Sequence, residues 1–265
     1  MSLSAYWPGF ADAWRGEWTK ARTVASTGWL FAATAALGIG LSATICAVVH
    51  SQPDDSQDPA KLALSGIQLA QALIAIWAVR AVTGEYRSGM IRTTLTAVPQ
   101  RANLVAAKTA VVTALALVAS TVTVIGSLLA AHALLSANGF TTAHGLPLPL
   151  GAGPTLRAAL GSILYLGLIS LLAAGAALAV RDAAAATGVV LGLLYLFPLA
   201  AQLAGNATWQ RHLQQIGPTT AGLSIQATTN LGALPIQPWA GLAVLAAWAV
   251  GSILVGSLVL HLRDS

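Results

Sequence analysis

Six runs of about 20 uninterrupted apolar residues dominate this chain, and that is the length an α-helix needs to cross roughly 30 Å of hydrocarbon. They cover approximately Thr27 to Val49, Leu62 to Val82, Leu104 to Leu135, Leu156 to Val180, Ala183 to Ala204, and Trp239 to Leu262. The third is longer than a crossing requires and is expected to tilt or project from the bilayer. Of 265 residues, 56% are hydrophobic and 8% are Asp, Glu, Lys or Arg, against roughly 25% charged in a soluble domain. Six buried core helices in a soluble chain of this size would leave almost no polar shell to cover them. The runs are continuous rather than alternating, which excludes the strands of a membrane barrel. The same composition excludes disorder, a nucleic-acid-binding domain and a disulfide-stapled module. Cys46 is the single cysteine; it cannot form an internal bridge and reads as packing in an apolar run.

The joints between the runs set an orientation through the excess of Lys and Arg in short cytoplasmic segments. Arg15, Lys20 and Arg22 precede the first run, Arg80, Arg87, Arg92, Arg101 and Lys108 follow the second, and Arg181 and Arg263 follow the fourth and sixth. Ten of the 13 basic residues therefore share one side. Lys61, Arg157 and Arg211 lie opposite, offset by Asp54, Asp55 and Asp58. Both termini are expected in the cytoplasm. The first run is too long and starts too late for a removable signal peptide, so it is expected to stay in the membrane. The expected organisation is a cytoplasmic N-terminus at 1–26 and one six-helix domain at 27–265, all α, with a cytoplasmic joint at 83–103 and an external stretch at 205–238.

Between Phe10 and Ala25 the residues Phe10, Trp14, Trp18, Ala21 and Ala25 fall on one helical stripe, with Asp12, Arg15, Thr19 and Arg22 facing away. This predicts a helix lying flat at the cytoplasmic interface, where Trp prefers to sit. Glu17 falls inside the apolar sector. It is expected either to be paired, with Lys20 or an arginine of the next cytoplasmic joint, or to be hydrated at the stripe's edge.

In the joint after the second run, Ile91, Leu95 and Val98 recur at helical spacing, Ser88 offers a cap and Pro99 ends the pattern. A simple turn needs no amphipathic helix. Such an element serves either to dock into a groove on a cytosolic partner or to lie on anionic headgroups.

Glu17-Trp18-Thr19-Lys20 before the first run, Glu85-Tyr86-Arg87-Ser88-Gly89 with Ile91-Arg92-Thr93-Thr94-Leu95, Val98-Pro99 and Ala107-Lys108, and Arg263-Asp264 at the close together resemble the permease subunits of actinobacterial ABC type-2 transporters. The resemblance runs through the whole chain in order. It implies an interfacial elbow helix carrying Trp14, Glu17, Trp18 and Lys20, and a coupling helix within 83–103. Partner contact there would come from Glu85, Arg87, Met90, Ile91, Arg92, Leu95 and Val98. It further implies an external re-entrant segment at 205–238, two cytosolic ATPase subunits that bind ATP and Mg, and a second permease copy or homologue in the same plasma membrane. The middle runs carry only generic Ala, Leu and Val, so cargo stays open.

No phosphate-cradling G-x-x-x-x-G-K-[ST] motif occurs, and no nucleophile elbow, H-E-x-x-H helix or paired cysteine cluster. The chain is expected to be no enzyme and to hold no cofactor or metal; its five histidines are scattered. Asn206-Ala207-Thr208 matches a glycosylation pattern that recurs by chance. No ionisable residue falls at the middle of a run, which disfavours proton- or ion-coupled carriage. A neutral, largely apolar path suits a hydrophobic or amphipathic cargo, such as a drug, antibiotic or lipid-like compound. Gly188 and Gly192 permit close helix packing, within the chain or between two permeases, and Pro198 is expected to kink the fifth helix near an external gate. The resulting expectation is the membrane subunit of an ATP-driven exporter. Two alternatives stand beside it: an ATP-independent channel or secondary carrier, and a non-transporting membrane scaffold or sensor.

Overall fold

The computed structural model describes residues 14–19, 25–49, 57–88, 101–138, 148–203 and 205–263. Among these residues there are helices and no strands. Residues 14–19 form a helical turn and a half, α1. It is followed by α2 (Ala25–Val48), α3 (Pro59–Ala63), α4 (Ile67–Ser88), α5 (Arg101–Ala137) and α6 (Gly153–Val180). Next come α7 (Ala183–Leu191), α8 (Phe197–Gln202), α9 (Ala207–Ile216), α10 (Pro218–Gly222) and α11 (Pro238–Arg263). Six helical stretches are long and apolar enough to cross a membrane: Thr27–Val48, Ile67–Gly84, Val105–Ala137, Gly153–Val180, Ala183–Gln202 and Pro238–Val259.

Two boundaries differ from the hydropathy pattern. The second apolar run starts at Leu62 in sequence, but Pro59–Ala63 is a separate short helix and α4 begins only at Ile67. Asp58 starts α3 by capping it, accepting the amide hydrogens of Ala60 at 3.1 Å and Lys61 at 3.3 Å, and Pro59 fills the first turn, where no amide is needed. The break at Gly66 then lets the chain turn against α2: a Cβ there would lie 1.8 Å from the Gly38 carbonyl oxygen, and the Gly66 amide donates to Ser42 Oγ at 3.0 Å. At its other end α4 runs on through Glu85 to Ser88. Ser88 is thus the last helical residue of α4.

The fifth crossing is interrupted as its proline requires. Pro198 has no amide hydrogen to give and its ring crowds the preceding turn. One π turn, Gly192–Leu196, widens the helix just before it, and the Phe197 amide reaches back five residues to the Gly192 carbonyl. The helix stays continuous through this bulge.

α6 is the axis of the bundle. It packs against α4, α5, α7 and α11, and 61% of an 18-residue apolar stretch of it is buried, against 22%, 17% and 22% for the matching stretches of the first, fifth and last crossings. Glycines set its closest approach to α11: a Cβ on Gly256 would sit 2.6 Å from the Gly175 carbonyl oxygen, and one on Gly175 would sit 2.4 Å from the Ser252 backbone. α6 ends at Arg181 in the left-handed conformation, φ 62°, and Asp182 caps α7 by accepting the Ala185 amide at 2.8 Å. Two residues therefore reverse the chain.

Candidate functional site

Three polar stations stand out in a largely apolar bundle. The first lies at the end of the bundle where α4 finishes and α5 starts. Glu17 of α1 and Lys108 of α5 form an ion pair, Oε2 to Nζ, at 3.1 Å, with the two side chains only 10% and 6% exposed. The paired alternative for Glu17 is the one realised, with Lys108 as a partner. Two ionised groups removed from water this far hold each other in place, because separating them would strand a buried charge. On α1, Trp14 and Trp18 stack at 6.4 Å between ring centroids. The pair thus pins the segment before the first crossing to the start of the third.

The second station lies at the opposite end. Besides capping α3, the Asp58 carboxylate accepts the Thr228 hydroxyl at 2.6 Å, the Thr229 amide at 3.0 Å and the Thr228 amide. One carboxylate therefore joins the start of α3 to a loop 170 residues later. Arg157, near the start of α6, donates to the Ala227 carbonyl at 2.5 Å, so the same loop is held from two sides. The chain leading to it, α10 and the 3-10 turn Leu223–Gln226, is buried between α6 and α11. Three glycines open the space. A Cβ would meet the Ile225 side chain at 2.0 Å from Gly161, the Tyr165 ring at 2.7 Å from Gly222, and the Ala221 carbonyl at 2.0 Å from Gly241. Inside, Gln226 Nε2 donates to Ser162 Oγ at 3.3 Å.

The third station sits one to two turns further in. Tyr165, fully buried on α6, donates its hydroxyl to Gln71 Oε1 on α4. Tyr195, carried by the π turn, donates to the Gln68 carbonyl. A buried amide and phenol need partners in an apolar surround, so these contacts fix the registers of α4, α6 and the fifth crossing against one another.

Of the residues singled out from sequence, Trp14, Glu17 and Trp18 lie together on α1. Met90, Ile91, Arg92, Leu95, Val98 and Lys20 lie outside the described residues, and Glu85 and Arg87 are placed only as backbone in the last turn of α4. A Cβ on Gly188 meets nothing within 4 Å and one on Gly192 meets only Leu196 one turn on, so neither makes a close approach within this chain, whereas Gly66, Gly175, Gly241 and Gly256 do. Asn206 serves as a helix cap, accepting the Thr208 amide at 2.8 Å. Asp58, Arg157, Gln71, Tyr165 and Tyr195 were not singled out. The Asp58-Pro59 step is a recognisable helix start, and Gln71 is an isolated amide in an apolar run, but neither reveals its distant partner.

No group of three or more His, Cys, Asp or Glu that could hold a metal occurs among the described residues. A search of protein-family models and of curated proteins returned no match to this chain.

Proposed function

We propose that this chain is the membrane-spanning permease subunit of an ATP-binding-cassette exporter in a bacterial plasma membrane, with both termini in the cytoplasm. The observation that carries the reading is the buried Glu17–Lys108 pair. It makes a mechanical unit of the interfacial helix and the root of α5, beside the basic joint that links α4 to α5. A lever placed there moves two crossings and the elbow together. The six apolar crossings, the Glu-Tyr-Arg-Ser-Gly block and the amphipathic pattern of Ile91, Leu95 and Val98 support the same reading.

In this mechanism a separate cytosolic subunit binds and hydrolyses Mg-ATP, and this chain performs no chemistry. Closure of that subunit pushes the joint near 88–98, which displaces the roots of α4 and α5. α5 packs on α2 and α6, so the push reaches the axial helix. α6 carries Tyr165, Ser162 and Arg157, the contacts that hold α4 and the external segment. Rigid-body rotation of α6 therefore loosens a re-entrant external plug around Pro218–Ala227, and a hydrophobic or amphipathic cargo leaves outward. A second copy is expected to complete the path, and the open face around Gly188 is available to it.

The test is co-purification. Leu95→Asp combined with Arg92→Glu is expected to abolish recovery of the ATPase with the detergent-extracted protein while leaving membrane insertion intact. Undiminished recovery would sink the coupling assignment. Transport into vesicles without ATP or any partner would favour a channel or secondary carrier; a stable complex without cargo-stimulated hydrolysis would favour a scaffold.

A further inference from the structure

Alongside α7, α6 and α11 leave an open apolar groove between them. Nearer the start of α6 the same space is filled by α10 and the 3-10 turn Leu223–Gln226. The filling follows α6 step by step toward its N-terminal end: Gly222 meets Tyr165, Ile225 meets Gly161, Gln226 Nε2 donates to Ser162 Oγ at 3.3 Å, and Arg157 donates to the Ala227 carbonyl at 2.5 Å. Ser162 is fully buried and Gln226 is 3% exposed, so this polar pair is sealed from water.

Apolar area does little to seat the segment. Ile225 is its one large side chain that is fully buried, and the rest is mostly Pro, Thr, Ala, Gly, Ser and Gln. Its backbone is irregular, a five-residue helix and a 3-10 turn that run into an extended Ala227, and such backbone persists among membrane helices only where protein or water meets its polar groups. At the outer end, the Thr228 and Thr229 amides and the Thr228 hydroxyl all go to one carboxylate, that of Asp58. Hydrogen bonds to an ionised acceptor are about twice as strong as neutral ones, which makes Asp58 the strongest of these ties. The Arg157 tie is less complete: its Nε is buried with no hydrogen-bond partner, a penalty that leaving the seat would relieve. Asp58, Thr228 and Thr229 are half-buried and lie outside the membrane-length stretches. Water therefore reaches the carboxylate while the Ser162–Gln226 pair beneath stays dry.

We propose that Asp58 is the latch of a movable seal: its carboxylate holds 218–229 in the seat, and release of that one group lets water in as far as Ser162 and Gln226. The latch deepens the plug reading of Pro218–Ala227 by naming what keeps it shut. It does not rest on the ATP-driven part of that reading, since the seal of a channel would be held in the same way.

The test uses the full chain in phospholipid nanodiscs, with the native Cys46 replaced by Ala and a single reporter, Ser162→Cys, exposed to a charged, membrane-impermeant methanethiosulfonate. Labelling is followed by mass spectrometry. Adding Asp58→Ala is expected to speed labelling about tenfold, through local opening of the segment. Thr228→Val removes one donor of the latch and keeps every charge; it is expected to speed labelling about threefold. A reporter at Ser120→Cys, fully buried on α5, is expected to stay equally slow in all three backgrounds. Co-purification of an ATPase reads the opposite end of the bundle and tests the exporter reading separately. Absence of the rise at Ser162→Cys in Asp58→Ala, or in Thr228→Val where the first variant fails to insert, would overturn the latch, as would an equal rise at Ser120→Cys.

Discussion

At the scale of single residues, charge is scarce here and each buried instance has a long-range task. Lys108→Met would take a cation from the buried Glu17 carboxylate, at a cost of up to about 3–5 kcal/mol. Replacing both partners by apolar residues of similar size should recover most of that loss, because the desolvation cost disappears along with the attraction. A thermal-unfolding double-mutant cycle in detergent is the measurement, and additive single effects would show that the 3.1 Å contact carries no coupling. Asp58 serves both ends with both oxygens: Oδ1 caps α3 and accepts the Thr228 hydroxyl, while Oδ2 accepts the amides of Thr228 and Thr229. Asp58→Asn keeps an acceptor for the cap but turns N–H groups toward N–H groups at the loop, a loss of about 1–3 kcal/mol. Faster hydrogen exchange at Thr228 and Thr229, with Ala60 and Lys61 unchanged, is the expected pattern. Both of these residues are plain charges in the sequence, and only the position of Glu17 inside an apolar stripe hinted at a partner.

At the scale of elements, helix existence follows from apolar length, whereas helix ends and interruptions follow from local stereochemistry. The Asp58-Pro59 start and the Gly66 turn detach α3 from α4, and a π turn precedes Pro198 in the fifth crossing. Glycines divide into two kinds that sequence cannot separate. Gly241 faces the Ala221 carbonyl at 2.0 Å from its hypothetical Cβ, while Gly251 faces open space. Gly241→Ala should therefore destabilise by about 1–3 kcal/mol through overpacking. Gly251→Ala should be neutral or stabilise by about 0.5–1 kcal/mol through helix propensity. Melting temperatures of the two variants in one detergent would decide, and equal shifts would contradict the packing described between α10 and α11. Tyr195→Phe, which removes the bond to the Gln68 carbonyl, should cost about 0.5–1.5 kcal/mol and speed exchange in the first turns of α4.

At the scale of the whole molecule, the arrangement is a central α6 with the polar stations at and near its ends and an apolar groove alongside. The coupling test with Leu95 and Arg92 belongs here, since it asks whether the joint below α4 and α5 is a handle for another subunit. Six crossings were legible in sequence because hydrophobic transfer acts on each run independently: some 20 apolar residues must leave water whatever their neighbours do. That Trp14 and Trp18 share one face of a helix is legible from their spacing of four. The identity of the bundle's axis, the Glu17–Lys108, Asp58–Thr228 and Gln71–Tyr165 pairings, and the apolar groove were not. Those depend on which faces meet, and inside hydrocarbon nearly all faces of Ala, Leu and Val look alike. Close approach of backbones and the pairing of a few polar atoms select among them, so composition alone determines that this chain is a set of membrane-length helices, while tertiary packing decides where its levers, latches and cavity lie.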